Sequence, residues 1–259
     1  MIFICPKCRS KLFNNSDRNY GCSNCGEQFQ TIDGITYFSP YESAQSAKSV
    51  VSSMFDKKNG SAKYSFWVKS KTLLQKLLRV SNKKIGLEEL VRDKTVLDVG
   101  CGPNLEIYDY DYPHKTSKSY TGLDYSNEFI KSANKSYGDR SHRFVQASAI
   151  SIPFEDKSFD VVCALFTIHH VAGSPETVVS ELTRVSKNQV VIFDHVKSTN
   201  RFVAFIQNLY WNLFDGGVNY LTLDQWTEIF ATVGLRESKE FKSGIIFKHV
   251  IQFVLAKDF

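Results

Sequence analysis

Four cysteines, Cys5, Cys8, Cys22 and Cys25, form two Cys-x2-Cys pairs with 13 residues between them. Thiolates at that spacing reach the corners of a tetrahedron, and the small or turn-forming residues around them let backbone amides point at sulfur, the pattern of two knuckles on structural zinc. Two disulfides are the alternative, disfavoured in a reducing compartment. A second group is Asp98-Val99-Gly100-Cys101-Gly102, where an acid and two glycines one residue apart end an apolar run. Glycine lets backbone approach a ligand where any Cβ would clash, so the stretch reads as a nucleotide-binding turn after a buried strand. Asp124 follows at the interval at which doubly wound folds set an acid on a ribose diol; capping the next helix is its other possible role. His169-His170 and Asp194-His195 complete the set. An imidazole can take a proton from a hydroxyl or amine near neutral pH, whereas capping a loop, or pairing of His195 with Asp194, would be purely structural.

The elements that must position these residues alternate. Strands are expected at 95–99, 119–124, 143–147, 161–166 and 189–193, with helices at 127–137 and 174–185 between them. Strand and helix in turn at these lengths imply a parallel sheet. An apolar helix at 201–213 follows, with Phe202, Phe205, Ile206, Leu209, Tyr210 and Leu213 at helical spacing, then a helix from Thr222 to Val233 that stops at Gly234. A hairpin over 235–241 and 249–256 ends the pattern. Residues 50–90 have helical periodicity among lysines, and residues 1–39 read as a zinc ribbon, dependent on its metal because it is too small to bury a core.

Over residues 95–195 the sequence resembles the class I S-adenosylmethionine-dependent methyltransferases, most closely their type 11 branch. The resemblance rests on several motifs in order: Asp98-Val-Gly100-Cys-Gly102, Gly122-Leu-Asp124-Tyr-Ser126, Ile152-Pro153-Phe154, and Ser158-Phe159-Asp160-Val161-Val162. It implies an α/β fold, a doubly wound, mostly parallel, seven-stranded Rossmann-like sheet with the small ribbon before it. The expected division is a ribbon at 1–39, a linker and N-terminal lid helices at 40–94, and a methyltransferase core at 95–259 with a lid insertion at about 197–221. The implied cofactor residues are Asp98, Gly100, Cys101, Gly102, Asp124, Tyr125, Ser148, Ala149 and Phe166. Two positions depart from the family pattern: Asn104 replaces the usual third glycine, and Ser148 stands where many members face the adenine amino group with an acid. Thr167-Ile168-His169-His170-Val171 resembles the family's "LHHV" segment at the active-site mouth, which makes His169, His170 and His195 the catalytic candidates. Phe55, Asp56 and Tyr64 fall where members place an aromatic over the methionine end. The ribbon's tail, Asp33-Gly34-Ile35, resembles ribbon proteins that partner methyltransferases.

The balance of charge is uneven. Of the net +5, residues 57–94 contribute 11 Lys and Arg against three acids, leaving the rest of the chain net acidic. Such a segment suits phosphate or is a solvated helix face. No apolar run approaches a membrane-spanning length, so a cytoplasmic protein without a membrane partner is expected. The leading expectation is methyl transfer to oxygen or nitrogen of a small-molecule acceptor, a sugar or biosynthetic intermediate. Methylation of an RNA base is the alternative, since a zinc ribbon before a methyltransferase domain is the layout of bacterial ribosomal-RNA guanine methyltransferases; the paired histidines are not expected there. A non-catalytic scaffold is the third reading. The sequence does not name the acceptor or the oligomeric state.

Overall fold

The computed structural model describes residues 2–15, 19–38, 86–103, 113–139, 141–171, 173–214, 216–243 and 250–257. The expected lid helices before residue 86, with Phe55, Asp56 and Tyr64, lie outside these residues, as does Asn104.

The first 38 residues supply five short strands. β1 (Leu12–Asn14), β2 (Tyr20–Cys22) and β3 (Gln28–Phe29) make a three-stranded antiparallel sheet, and β4 (Thr31–Ile32) and β5 (Ile35–Tyr37) a second hairpin. Alone they bury little, and the segment gains its core by docking. The Phe3 ring packs on Tyr20 and Phe38 and also on Phe154, 5.3 Å away. Cys5, Cys22, Phe29 and Phe38 join the same buried cluster as the strands that follow.

After the short helix α1 (Leu87–Val91) comes β6 (Thr95–Val99), buried from its second residue onward. A near-continuous apolar run is what a strand covered on both faces requires. α2 (Pro113–Thr116), β7 (Ser119–Asp124), α3 (Asn127–Tyr137), β8 (His142–Gln146), β9 (Phe159–Leu165), α4 (Pro175–Val185) and β10 (Ser186–His195) follow. α4 buries Val178, Val179, Leu182 and Val185, one stripe at helical spacing, with Pro175 in its first turn. Beyond β10 lie α5 (Arg201–Phe214), α6 (Leu223–Thr232), β11 (Leu235–Ser243) and β12 (Val250–Lys257). Thr222 caps α6 through a reciprocal pair with Gln225.

The large sheet runs β11-β12-β10-β9-β6-β7-β8-β5-β4. Its centre is parallel; β12 and β11 close one edge antiparallel. The seven strands β6–β12 are those expected, but among the described residues the sheet has nine. The added two are β4 and β5, which pair onto β8 with Thr36 opposite Val145 and Tyr37 opposite Gln146. An uncovered β8 would offer a row of unpaired backbone groups, and the ribbon removes that edge. Chain order reverses between β6 and β9, so the crevice beyond the carboxyl ends of these strands is where such a sheet holds ligands.

Arg9 and Glu181 bolt the ribbon to α4. Arg9 directly follows the first cysteine pair and has a left-handed φ of 64°, the same place in its knuckle that Gly26, at 78°, takes in the other. Its guanidinium donates two hydrogen bonds of 2.9 Å to Glu181, whose carboxylate also accepts from Arg184 and from the Ile152 amide. A planar fork matched to a carboxylate explains why an arginine is kept in a conformation that favours glycine.

Candidate active site

At the end of β6, Gly100 and Gly102 both have positive φ, 75° and 68°. A Cβ on Gly100 would overlap the Thr167 side chain, so the turn after β9 can approach only because Gly100 has none. Around Gly102 no atom of the described residues beyond its chain neighbours lies within 4 Å of where a Cβ would sit. The Gly100 and Cys101 amides donate to the Leu123 carbonyl, and Gly102 N–H donates to Asp124 Oδ2 at 2.9 Å. Asp124 Oδ1 accepts from Ser126 N–H, while the Ser126 hydroxyl caps α3. Asp124 is therefore a bridge between two turns, and the capping role falls to Ser126. The Ala147 amide reaches the Asp124 carbonyl and the Gln146 amide side chain the Tyr125 carbonyl, which brings Ser148 and Ala149 to the same rim. Phe166 follows β9 with a φ of 54°, its N–H donating to the Phe193 carbonyl. Left-handed backbone at a bulky residue is strained, and strain of this kind gathers at functional turns.

Asp98 is 5% exposed. Tyr120 O–H donates to Oδ2 at 2.7 Å, and Oδ1 has no hydrogen-bond partner among the described residues. Burial pushes this carboxyl up to about 6, the Tyr120 bond opposes the rise and the Asp124 charge adds to it. A buried acid with an orphaned oxygen beside an open glycine turn is suited to a cationic donor. The cofactor implied by the fold carries an ammonium and a sulfonium, so the residues present fit it.

The second half of the site surrounds Asp194, the fully buried acid near the end of β10. His169 lies in the 3₁₀ turn Ile168–His170, and its Nδ1 is 2.5 Å from Asp194 Oδ1. The amides of Ile168 and His169 donate to Oδ2 and that of His195 to Oδ1. Burial opposes ionisation here too, but His169, His195 and the amides override it and hold Asp194 below its ordinary range. Ring centroids of His170 and His195 lie 3.9 and 4.8 Å from that of His169. Tyr220 stacks on His169 and, at 4.0 Å and nearly parallel, on Trp211 of α5. Residues 216–220 fold over the cluster: the Val218 and Asn219 amides donate to the His169 carbonyl, and a Cβ on Gly217 would strike both His169 and Tyr220. Thr167 joins the halves, its hydroxyl donating to the Gly100 carbonyl at 3.3 Å.

All three candidate histidines thus come together, and the acid's side chain serves His169, with His195 contributing its amide. Tyr120, Thr167 and Gly217 were not legible as site residues, whereas the aromatics around Tyr210, Trp211 and Tyr220 read in the sequence as a roof over the acceptor pocket.

The four ribbon sulfurs lie within 4.8 Å of one another. Cys5–Cys25 and Cys8–Cys22 are 3.6 and 3.4 Å apart, unbonded and near the edge of about 3.8 Å that a zinc–thiolate tetrahedron requires. Hydrogen bonds from Asn24 and Ser10 lower Cys8 to about 5, whereas burial raises Cys5 to about 12, a cost that a cation among the sulfurs would reverse.

Residues 97–193 match the Methyltransf_11 model, described as a methyltransferase domain. The phosphatidylethanolamine N-methyltransferase of Cereibacter sphaeroides is 34% identical over 110 residues, 40% of this chain and 52% of that protein. The demethylmenaquinone methyltransferase of Thermotoga maritima is 29% identical over 174 residues, 58% of this chain and 73% of that protein. In the complex between the Haloferax volcanii Trm112 methyltransferase activator and a methyltransferase, one chain superposes with a TM-score of 0.56 at 15% identity, covering 82% of this chain and 98% of its own length, a likeness of fold. The chain spans about half the length of the first curated relatives it matches, 52%, 59% and 42%. Strand order, glycine turn and these matches together place the domain over residues 97–193 in the class I S-adenosylmethionine-dependent methyltransferases.

Proposed function

We propose that the chain methylates an oxygen or nitrogen of a small-molecule acceptor, with S-adenosylmethionine as donor and the His169–Asp194 pair as base. The observation that carries this reading is the buried pair itself, joined through Thr167 to the glycine turn. Asp98 would receive the cofactor's ammonium, Gly100, Cys101 and Gly102 its amino-acid end, Asp124 its ribose hydroxyls, and Tyr125, Ser148, Ala149 and Phe166 would line the adenine side. When bound, the cofactor supplies a methyl already activated on sulfonium, so alignment matters more than any protein nucleophile.

Asp194 fixes the proton of His169 on Nδ1 and leaves Nε2 the basic nitrogen. That nitrogen takes the proton released as the acceptor's hydroxyl or amine attacks, and Asp194 stabilises the imidazolium. Trp211, Tyr220 and residues 216–220 keep water out. The relatives divide: two are named for the small acceptors phosphatidylethanolamine and demethylmenaquinone and one, of Bacillus subtilis, for a 23S rRNA guanine, so the preference for a small acceptor rests on the enclosed His169–Asp194 pair. Cys5, Cys8, Cys22 and Cys25 would hold zinc as a structural clasp.

Calorimetric titration with S-adenosylhomocysteine tests the donor side. Asp124→Ala should weaken binding by about tenfold or more, about 1.4 kcal/mol; unchanged affinity would remove Asp124 from the cofactor site. Repeating the titration with bulk RNA at two salt concentrations tests the alternative, since salt-sensitive coupling would move the assignment to a nucleic acid. Cys22→Ser should lose the ribbon's metal while the sheet stays folded; retained metal would break the four-cysteine assignment.

A further inference from the structure

Eight large apolar side chains are strongly exposed among the described residues, and five of them lie beyond β8 near the ligand end: Ile150, Phe202, Phe205, Leu209 and Val218. Three are on α5. Phe202, Phe205 and Leu209 are 74%, 63% and 50% exposed at positions i, i+3 and i+7, one face of the helix. The opposite face carries Gln207 and Trp211, both buried; Gln207 bonds Ser198 and Val196, and Trp211 stacks on Tyr220 over the histidine cluster. A helix that covers a core should turn polar residues outward. α5 instead presents an apolar stripe to solvent from the same helix that roofs the acceptor side.

The other two exposed residues continue this rim. Val218 belongs to the segment folded over His169. The neighbouring Asn219 donates to the Val171 and Gly173 carbonyls, and Gly173 lies against Ile150. Charge selects the partner. From Val196 to Phe214 there are two cations, Lys197 and Arg201, and no acid. An exposed apolar face with cations just before it and at its first residue supplies the two contributions to interfacial lipid binding, buried apolar area and attraction to anionic headgroups. No described helix is long and apolar enough to cross a membrane, and lying on one requires no such length.

We propose that α5 and the Ile150–Val218 rim rest on an anionic phospholipid surface and that the acceptor, a lipid-borne molecule, enters beneath α5 from that surface. The statement about the acceptor rests on the function proposed above; the contact with lipid stands apart from it. An outward stripe is legible in the sequence only as helical spacing, which does not say which face is inside.

The test is co-sedimentation of the full chain with vesicles of phosphatidylcholine, with and without phosphatidylglycerol. The wild type should sediment, more strongly with phosphatidylglycerol. Phe202→Ser/Phe205→Ser/Leu209→Ser should weaken binding about tenfold or more on both vesicles. Lys197→Gln/Arg201→Gln should weaken it on the anionic vesicles alone, about fivefold per charge. An unaltered thermal transition in the triple variant would exclude misfolding, as expected for exposed positions. Asp124→Ala should sediment like the wild type even where it no longer binds S-adenosylhomocysteine, so failure of the catalytic reading and failure of the lipid contact give different results. The proposal is overturned if the wild type stays in the supernatant with both vesicles or if the triple variant binds equally well. It is also overturned if ultracentrifugation shows a dimer that the triple variant dissolves and vesicles are not bound, which would give the stripe to a second copy of the chain.

Discussion

Asp98 and Asp194 occupy comparable places, each a buried acid near the carboxyl end of a parallel strand beside the crevice, and their surroundings drive them in opposite directions. Asp98 has one donor among the described residues, the Tyr120 hydroxyl, and burial raises it to about 6. Asp194 accepts from three backbone amides and pairs with an imidazole, and it is held ionised. The same side chain at the same depth is incomplete in one place and saturated in the other. Hydrogen-bond supply decides the difference: Asp98 keeps one oxygen without a partner among the described residues, and Asp194 has both engaged.

The largest effect that would break this contrast concerns Asp194. Asp194→Ala should cost about 3–5 kcal/mol in urea unfolding, since it strips a buried partner from His169. Asp194→Asn should lower methyl transfer by about 10²–10⁴-fold with affinity for S-adenosylhomocysteine unchanged. If turnover survives, the pair is only structural.

Next in size is a pH dependence. Asp98 is raised from its ordinary 3.8 to about 6, so its neutral form is the one that the fold accommodates. The associated stability is complete below pH 3.8 and is lost as pH rises through about 6, a loss on the order of 3 kcal/mol in the ligand-free protein. The difference in unfolding free energy between wild type and Asp98→Asn, followed from pH 4 to 7, should show that slope, and S-adenosylhomocysteine should flatten it. No slope would mean that Asp98 is better solvated than its burial indicates.

The smallest effect sharpens the contrast from the donor side. Tyr120→Phe should destabilise the protein by about 1–3 kcal/mol at neutral pH and less in acid, because it removes the single donor from an ionising buried carboxylate. Equal loss at both pH values would assign the effect to packing alone.

What the sequence revealed follows the range of the interactions. The strands at 95–99 and 119–124 and the helix at 127–137 have the expected bounds, since a buried apolar run, an acid and a cap are local signals. The glycine turn and Asp124 were legible for the same reason. The pairing of Asp194 with His169, 25 residues apart, was not, because the turn after β9 decides which of three histidines meets the acid. Nor was the ninefold extent of the sheet, because two or three residues of the Ile35–Tyr37 segment carry no mark of the strand they will join. The outward stripe of α5 has the same periodicity as an inward one.

The parallel pairing of β5 with β8 also has a consequence in time. During synthesis Tyr37 leaves the ribosome about a hundred residues before Gln146, an interval of roughly 5–20 s at ordinary elongation rates. The segment that finishes the sheet is thus made before there is a sheet. For that interval a hairpin ending in Ile35 and Tyr37 has no neighbour to hydrogen-bond and no core to enter. A clasp of four cysteines, closed on contacts within 21 residues of chain, gives the nascent segment a fold of its own while it waits. With the zinc proposed above as the clasp, metal supply during translation would govern the yield of folded chains more than the stability of finished ones.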